Sequence, residues 1–343
     1  MRVVQHATFG GPEVLEMVEV PDPDPGPGEV VVAVGAVALN RLDVLQRQGP
    51  PLLPGFSLPH VAGMDVAGRV VDVGSEVDGP VVGTRVVVKP GIHCGTCAAC
   101  RQGDDRRCRA VQVVGGSRWG GYADYCVVPA SQTFALPVHV EVDEAAAVPT
   151  ALSTAWRAIV ETAKTGPGDT VVIHGPGSGV SIFAVQLAKQ AGATVVVTGR
   201  SAAKLERARL LGADHVVSET GGSMVEAVFD LTGGRGAEVV LNHVGSALFP
   251  ASLAMLGFDG RLVVCGTTTG TTVELSLPRV YHSGLSVLGA GPQSYASFAA
   301  MLDAYWTGGF EAVVDGVFPL EEAALAQERL ESGAAFGKIL LHP

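Results

Sequence analysis

The sequence predicts an α/β protein of two domains, a barrel-like β domain and a doubly wound parallel sheet. Three observations carry that expectation: a change of texture near residue 151, an alternation of apolar strands with amphipathic helices after it, and a Gly-rich turn at the end of the first of those strands. At 343 residues the chain is long for one core and comfortable for two. Hydrophobic residues make up 47% and charged residues 17%, which excludes a disordered chain. The 45 glycines follow no three-residue period, so they mark turns and not collagen. A formal charge of −11 argues against nucleic acid or an anionic membrane as the main partner. The N-terminus has no secretory pattern and no apolar run reaches spanning length, so a cytoplasmic enzyme is expected.

In the first 150 residues, short Val-rich runs such as Glu29–Val34, Gly68–Val73 and Thr84–Val88 are separated by Gly and Pro and read as strands. Pro21, Pro23, Pro25 and Pro27 make a stiff extended lead into one of them. After a helix at Trp156–Lys164, strands are expected at Thr170–His174, Thr194–Thr198, His215–Ser218, Glu238–Asn242, Arg261–Cys265 and Leu285–Leu288. Helices are expected between most of them, at Val180–Gln190, Ala202–Leu211, Met224–Leu231 and Ala247–Leu256. Near-continuous Val/Ile/Leu strands of this kind belong to a parallel sheet covered on both faces. From about Gly291 the chain should add two helices and a strand ending at Leu341 that return to the first domain.

Four of the six cysteines, Cys94, Cys97, Cys100 and Cys108, lie within fifteen residues. Four thiolates satisfy a tetrahedral zinc ion and leave no place for water, so the site is structural. Arg101, Arg106, Arg107 and Arg109 stand close enough in sequence to offset the excess negative charge. A ferredoxin-like cluster is disfavoured by the lack of a Pro after Cys108 and of a second Cys run. Four free thiols are the remaining alternative.

The turn after the first buried strand reads Gly175-Pro176-Gly177-Ser178-Gly179-Val180, followed by Ser181 and an apolar helix. Glycines let the backbone approach a pyrophosphate, and the helix N-terminus supplies amide donors. The second strand ends in Gly199-Arg200-Ser201, with Lys204 one turn on, where an NAD-binding domain would carry a carboxylate for the ribose hydroxyls. A guanidinium without that carboxylate favours NADP(H). The competing reading makes Arg200 and Lys204 solvated residues at a helix start.

Together these features resemble the medium-chain dehydrogenase/reductase superfamily, which includes zinc alcohol dehydrogenases and quinone oxidoreductases. The likeness also runs through Gly10–Leu15, Pro59–Gly68, Gly120–Tyr125, Gly212–Asp214 and Phe336–Leu340. It implies a GroES-like substrate domain over residues 1–150 and 293–343, with the zinc lobe at about 90–110, and a Rossmann NADP(H)-binding domain over 151–292. It further implies that Thr154 touches the nicotinamide, that Gly245, Gly266 and Thr267 end strands on the cofactor side, and that the strand at Leu285–Leu288 pairs two chains into a homodimer or part of a tetramer. The places of the zinc branch's catalytic ligands fall on Asn40, Met64 and Thr150, with Asp65 following Met64. Such a set cannot assemble a good zinc site, so no catalytic zinc is expected.

The Asn-x-x-Asp of Asn40 and Asp43 fits the zinc-free quinone and enone reductases, which implies hydride transfer to a conjugated carbonyl or a quinone. Tyrosines carried by some relatives are replaced here by Leu45 and Pro51, so no proton donor is evident. Asn40, Asp43 and Asp65 are the catalytic candidates, each with an alternative structural reading as a capping or hydrogen-bonding residue. Arg41, His60 and Tyr122 are weighed beside them, His60 and Tyr122 chiefly as turn and packing residues. Cys126 and Cys265 read as small buried residues, with Cys265 a candidate for thiol sensitivity. Two other functions stay open: alcohol–ketone interconversion, and a redox-inactive lyase, cyclase or binding protein.

Overall fold

The computed structural model describes all residues from Met1 to Pro343. The chain forms two units, Met1–Thr150 with Ser294–Gly308 and Ala312–Pro343, and Ala151–Gln293 with Gly309–Glu311. No helix is long and apolar enough to cross a membrane.

The first unit opens with β1 (Arg2–His6), β2 (Glu16–Glu19) and β3 (Glu29–Ala38). Helix α1 (Arg41–Gln48) follows, then β4 (His60–Val61), β5 (Asp65–Val73), β6 (Arg85–Val88) and β7 (Gly91–Ile92). A single helical turn, α2 (Ala98–Arg101), lies in the cysteine-rich loop. Beyond it come β8 (Gln112–Val113), β9 (Tyr125–Pro129), β10 (Thr133–Ala135), α3 (Val142–Ala146) and α4 (Pro149–Trp156). The Val-rich stretches form strands because branched side chains pack well on a pleated surface. Val30, Val32 and Val37 of β3 and Val66 and Val70 of β5 are wholly buried in one core. Burying each such side chain contributes about 1.5–3 kcal/mol. Helix α1 was not anticipated, since its buried face is Asp43, Val44, Gln46 and Arg47 and shows no apolar period.

In the second unit the strands are β11 (Thr170–His174), β12 (Thr194–Gly199), β13 (His215–Ser218), β14 (Ala237–Asn242), β15 (Leu256–Val264) and β16 (Ser286–Gly289). Between them run α5 (Gly179–Gln190), α6 (Ala202–Leu210), α7 (Met224–Leu231), α8 (Phe249–Ala254) and α9 (Leu277–His282). The strands form one parallel sheet in the order β13-β12-β11-β14-β15-β16. The order reverses between β11 and β14, and ligands of doubly wound sheets bind at that switch point, outside the carboxyl ends of the strands. Two expected helices are redrawn. The one at Trp156–Lys164 is instead α4 continued by a π-helical stretch, Arg157–Thr162. The one at Ala247–Leu256 begins as a 3-10 turn and ends at Ala254, because Leu256 already starts β15.

The chain then adds α10 (Tyr295–Trp306), β17 (Val314–Pro319), α11 (Ala323–Glu331) and β18 (Lys338–His342) to the first unit. Strand β17 was not expected, because Asp315 and Gly316 break its apolar run. Strand β18 joins β3 with Leu340 opposite Ala38, while β5 joins the other side of β3 with Asp65 also opposite Ala38. Those two registers bring Lys338, Asp65 and the end of β3 to one place.

Candidate functional site

The sulfur atoms of Cys94, Cys97, Cys100 and Cys108 all lie within 4.8 Å of one another, and the Cys94 and Cys100 sulfurs are 3.9 Å apart. A tetrahedron with Zn–S bonds of about 2.3 Å has sulfur–sulfur edges near 3.8 Å, so this donor set fits zinc. Amides of Thr96 and Cys97 point at the Cys94 sulfur and pull its thiol down to about 6, toward the thiolate a metal needs. Of the four arginines expected to offset the charge, Arg106 and Arg107 pair with Asp104 at 3.1 and 2.9 Å.

In the second unit β11 ends at His174, and Gly175 turns the chain with φ of +69°, a conformation that favours glycine. Ser178 caps α5, its hydroxyl accepting from the Val180 amide at 3.2 Å. The remaining N-terminal amides of α5, including that of Gly179, suit an anion at the turn of Gly175 and Gly177. Gly199 closes β12 against this turn: a Cβ there would lie 2.6 Å from Pro176 Cδ. Arg200 is exposed and Ser201 caps α6, accepting from the Lys204 amide at 3.4 Å. Gly245 and Gly266 follow β14 and β15 closely, and a Cβ on Gly266 would stand 2.0 Å from the His243 carbonyl. Thr267 is exposed at the same strand ends, while Thr154 lies half-buried on α4. The fold therefore brings together Gly175, Gly177, Ser178, Gly179, Val180, Gly199, Arg200, Ser201, Gly245, Gly266 and Thr267 at the carboxyl side of one sheet, with Lys204 one turn into α6.

A buried polar network supports that turn, and sequence reasoning missed it. His174 is fully buried and meets the Thr198 hydroxyl at 2.7 Å and the Ser252 hydroxyl at 2.9 Å. The His243 ring nitrogen Nε2 lies 2.7 Å from both the Ser181 hydroxyl and the His174 carbonyl. Desolvation holds His174 neutral, down to about 3, and lowers His243 as well. The only signal in the sequence was a histidine at each of two strand ends. At Cys265 desolvation pushes the thiol up to about 12, so little thiolate is present for the sensitivity considered above.

The catalytic candidates meet in the first unit. Asp65 is fully buried, and its Oδ1 accepts from the Thr150 hydroxyl at 2.5 Å and the Thr150 amide at 3.0 Å. Its Oδ2 accepts from Asn40 Nδ2 at 2.9 Å and from Lys338 Nζ at 3.1 Å. The same ammonium donates to Asn40 Oδ1 at 2.7 Å and to the Leu39 carbonyl at 2.8 Å. Asn40 also reaches the Ala38 carbonyl at 3.3 Å, so both its amide hydrogens have partners within the protein. In the sequence Lys338 stood out only as part of the family-like stretch Phe336–Leu340, with no partner assigned to it. Removing one partner from a buried ion pair costs about 3–5 kcal/mol, because the other charge stays behind.

Asp43 Oδ2 accepts from the Asn40 amide at 2.7 Å, and its Oδ1 accepts from the Gly63 amide at 3.2 Å. Burial nevertheless raises its carboxyl to about 7. Tyr122 is fully buried, and its hydroxyl accepts from Gln327 at 3.4 Å. The His60 ring meets the Gly115 carbonyl at 3.1 Å, and burial lowers it to about 4. Arg41 donates to the Leu330 carbonyl at 3.4 Å. At the places of the zinc branch's catalytic ligands, Asn40, Met64 and Thr150 offer an amide, a thioether and a hydroxyl. The one carboxylate, Asp65, is already bound to an ammonium. These residues do not fit a catalytic zinc.

Residues 26–138 match a family model described as the alcohol dehydrogenase GroES-like domain, and residues 179–307 match one described as a zinc-binding dehydrogenase. A zinc-type alcohol dehydrogenase-like protein of Schizosaccharomyces pombe is 32% identical over 99% of each chain. An acryloyl-coenzyme A reductase of Metallosphaera sedula is 30% identical over 95% of this chain and 96% of its own. Among solved structures, an NAD-dependent alcohol dehydrogenase superposes with a TM-score of 0.94 at 39% identity, covering 100% of both chains. The chain belongs to the medium-chain dehydrogenase/reductase superfamily, and its two folds are the GroES-like domain and the parallel six-stranded Rossmann sheet. It is an oxidoreductase of that family, and its four-cysteine cluster fits the family's structural zinc.

Replacing Cys100 by Ser should lower bound zinc from one per chain toward none and bring forward the unfolding of the first unit, measured by elemental analysis and thermal denaturation. An unchanged zinc content would refute the cluster as the zinc site. The buried His174 gives a pH test. The unfolded chain protonates this histidine near 6.5 and the folded one only near 3. Its contribution to stability is therefore present above 6.5 and lost as pH falls toward 3. Across that window the His174→Gln variant should lose stability less steeply than the wild type, compared by denaturant titration at each pH.

Proposed function

We propose that this protein is an NADPH-dependent reductase that delivers hydride to a conjugated carbonyl or a quinone without a catalytic zinc. The observation that carries this reading is the Lys338–Asp65–Asn40 cluster, where the residues at the zinc-ligand places are bonded to one another and to an ammonium. Without a Lewis acid a simple ketone is poorly polarised, whereas a conjugated acceptor spreads the developing charge onto an enolate oxygen. The resemblance to an acryloyl-coenzyme A reductase supports a conjugated acceptor.

Bound NADPH supplies the hydride. In a conjugated carbonyl a new C–H bond forms at the β-carbon, the alkene electron pair moves to the oxygen, and a proton completes the α-carbon. The amides of the Gly175–Val180 turn would hold the pyrophosphate, and Arg200, Ser201 and Lys204 the 2′-phosphate, with Thr154, Gly245, Gly266 and Thr267 along the nicotinamide half. Of the three candidates Asn40 alone keeps exposed surface and would face the acceptor, ordered from behind by the buried Asp43 and Asp65. Asp43, with its carboxyl near 7, is the group there best able to hold or release a proton at neutral pH.

A second cofactor reading, NADH, is favoured by one carboxylate: Glu219 accepts from the Thr198 hydroxyl at 3.2 Å beside the end of β12. The resemblance to NAD-dependent alcohol dehydrogenases supports it too, together with alcohol–ketone interconversion. The partner we propose is a second copy of this chain. In the second unit β16 pairs with β15 alone, leaving a free edge with Val287 exposed, and an uncovered edge of this kind invites pairing.

Replacing Arg200 by Ala should weaken NADPH binding about 10- to 100-fold and leave NADH within about twofold, measured by fluorescence titration. Equal effects would favour NADH. Nucleotide oxidation should proceed with quinones and enones and be slow with saturated ketones and aldehydes. If NADPH binds and no acceptor oxidises it, the redox assignment is wrong.

A further inference from the structure

Two charges of opposite sign stand unpaired at the carboxyl end of β12. Gly199 is its last residue, and no side chain fits there, because a Cβ would lie 2.6 Å from Pro176 Cδ. Arg200 follows directly, exposed and with no partner for its guanidinium in the chain. On the neighbouring strand Ser218 stands opposite Gly199, and the next amide, that of Glu219, donates to the Gly199 carbonyl at 2.9 Å. The half-buried Glu219 side chain turns back to β12, where its Oε1 accepts from the Thr198 hydroxyl at 3.2 Å. Thr198 is fully buried and lies 2.7 Å from His174 Nδ1, so the hydroxyl that holds Glu219 is itself fixed from behind. Glu219 Oε2 has no partner in the chain. A carboxylate and a guanidinium that flank one strand end without pairing are both left open to a ligand.

We propose that Glu219 is a specificity-determining residue for the nucleotide: its free oxygen accepts a hydroxyl of the adenosine ribose, so the protein takes NADH as well as NADPH, and Glu219 and Arg200 set the balance between them. This rests on the nucleotide-dependent reading above and deepens it. A dinucleotide-binding sheet of the NAD type carries its ribose-binding carboxylate at the end of the second strand. Pro176 fills that space here, and the carboxylate comes instead from the residue after β13. An ionised carboxylate accepts from a 2′-hydroxyl in a charge-assisted bond. A 2′-phosphate dianion has no hydrogen to offer it and is repelled, but pairs with the Arg200 guanidinium. Thr198 keeps the carboxylate on its own side of the strand end, so the two charges do not cancel.

The test reads binding to the full-length protein, by fluorescence titration with NADH and NADPH and by competition with 5′-AMP and 2′,5′-ADP, and needs no acceptor. The wild type should bind the two dinucleotides with Kd values within about tenfold of each other. Glu219→Gln, which keeps the size and an acceptor for Thr198, should weaken NADH about 10-fold, and Glu219→Ala about 10- to 100-fold. Both variants should bind NADPH as tightly as the wild type or more tightly, with 5′-AMP following NADH and 2′,5′-ADP following NADPH. A merely structural role for Glu219 would weaken both dinucleotides alike, and that result overturns the proposal. So does NADH binding that neither variant moves, or a wild type whose preference for NADPH is wider than stated, even if no variant folds. If the nucleotides and fragments bind as expected and no acceptor oxidises either nucleotide, the reductase reading falls and the role of Glu219 stands. A wild type that binds neither nucleotide overturns both.

Discussion

A lysine and an aspartate from opposite ends of the first unit's sequence meet in a buried pair, and the unit is organised around that meeting. Lys338 opens β18 and Asp65 opens β5, and both strands flank β3, each register passing through Ala38. Two ladders must therefore form correctly before the ammonium finds its three oxygen acceptors. A one-residue slip would turn Lys338 to the other face and leave a charge buried without a partner. The pair thus makes the placement of the C-terminal strand specific, and it fixes Asn40 at the start of α1 in the same act.

The same logic separates two kinds of metal chemistry in one chain. The four cysteines form a compact set of soft donors with amides aimed at Cys94, an arrangement suited to a closed tetrahedral ion. At Asn40, Met64, Asp65 and Thr150 the donors are neutral or already spent, and the positive charge is supplied by the protein itself. Such a site needs no metal to be ordered, but it can lend less polarisation to a bound carbonyl.

In the second unit the Gly175–Val180 turn rests on a largely buried polar foundation. The neutral His174 and His243, with Ser181, Thr198, Asn242 and Ser252, tie the ends of β11, β12 and β14 together. Each bond is worth little net, yet a broken one would leave a buried polar group unsatisfied at about 1–3 kcal/mol. Rigidity at this place is useful because an anion site made from backbone amides works only if the amides are already aimed.

Much of this was legible in the residues themselves. The parallel sheet could be read from six Val-rich runs with helices between most of them, and the zinc cluster from cysteine spacing, because both are local patterns repeated or concentrated along the chain. Gly175 could be singled out because a backbone turn tolerates little else, whereas Gly199 was noted only for the carboxylate it replaces, and its close approach to Pro176 emerged from the fold. Helix α1 and strand β17 were not legible, since a polar buried face and an interrupted apolar run carry no period. Least legible was the role of Lys338. Sequence places it 273 positions from Asp65, in an apolar strand with nothing nearby to pair with. Only the registers of β5 and β18 on β3 decide that the two charges touch, because a buried charge is defined by what the fold brings to it and not by its neighbours in the chain.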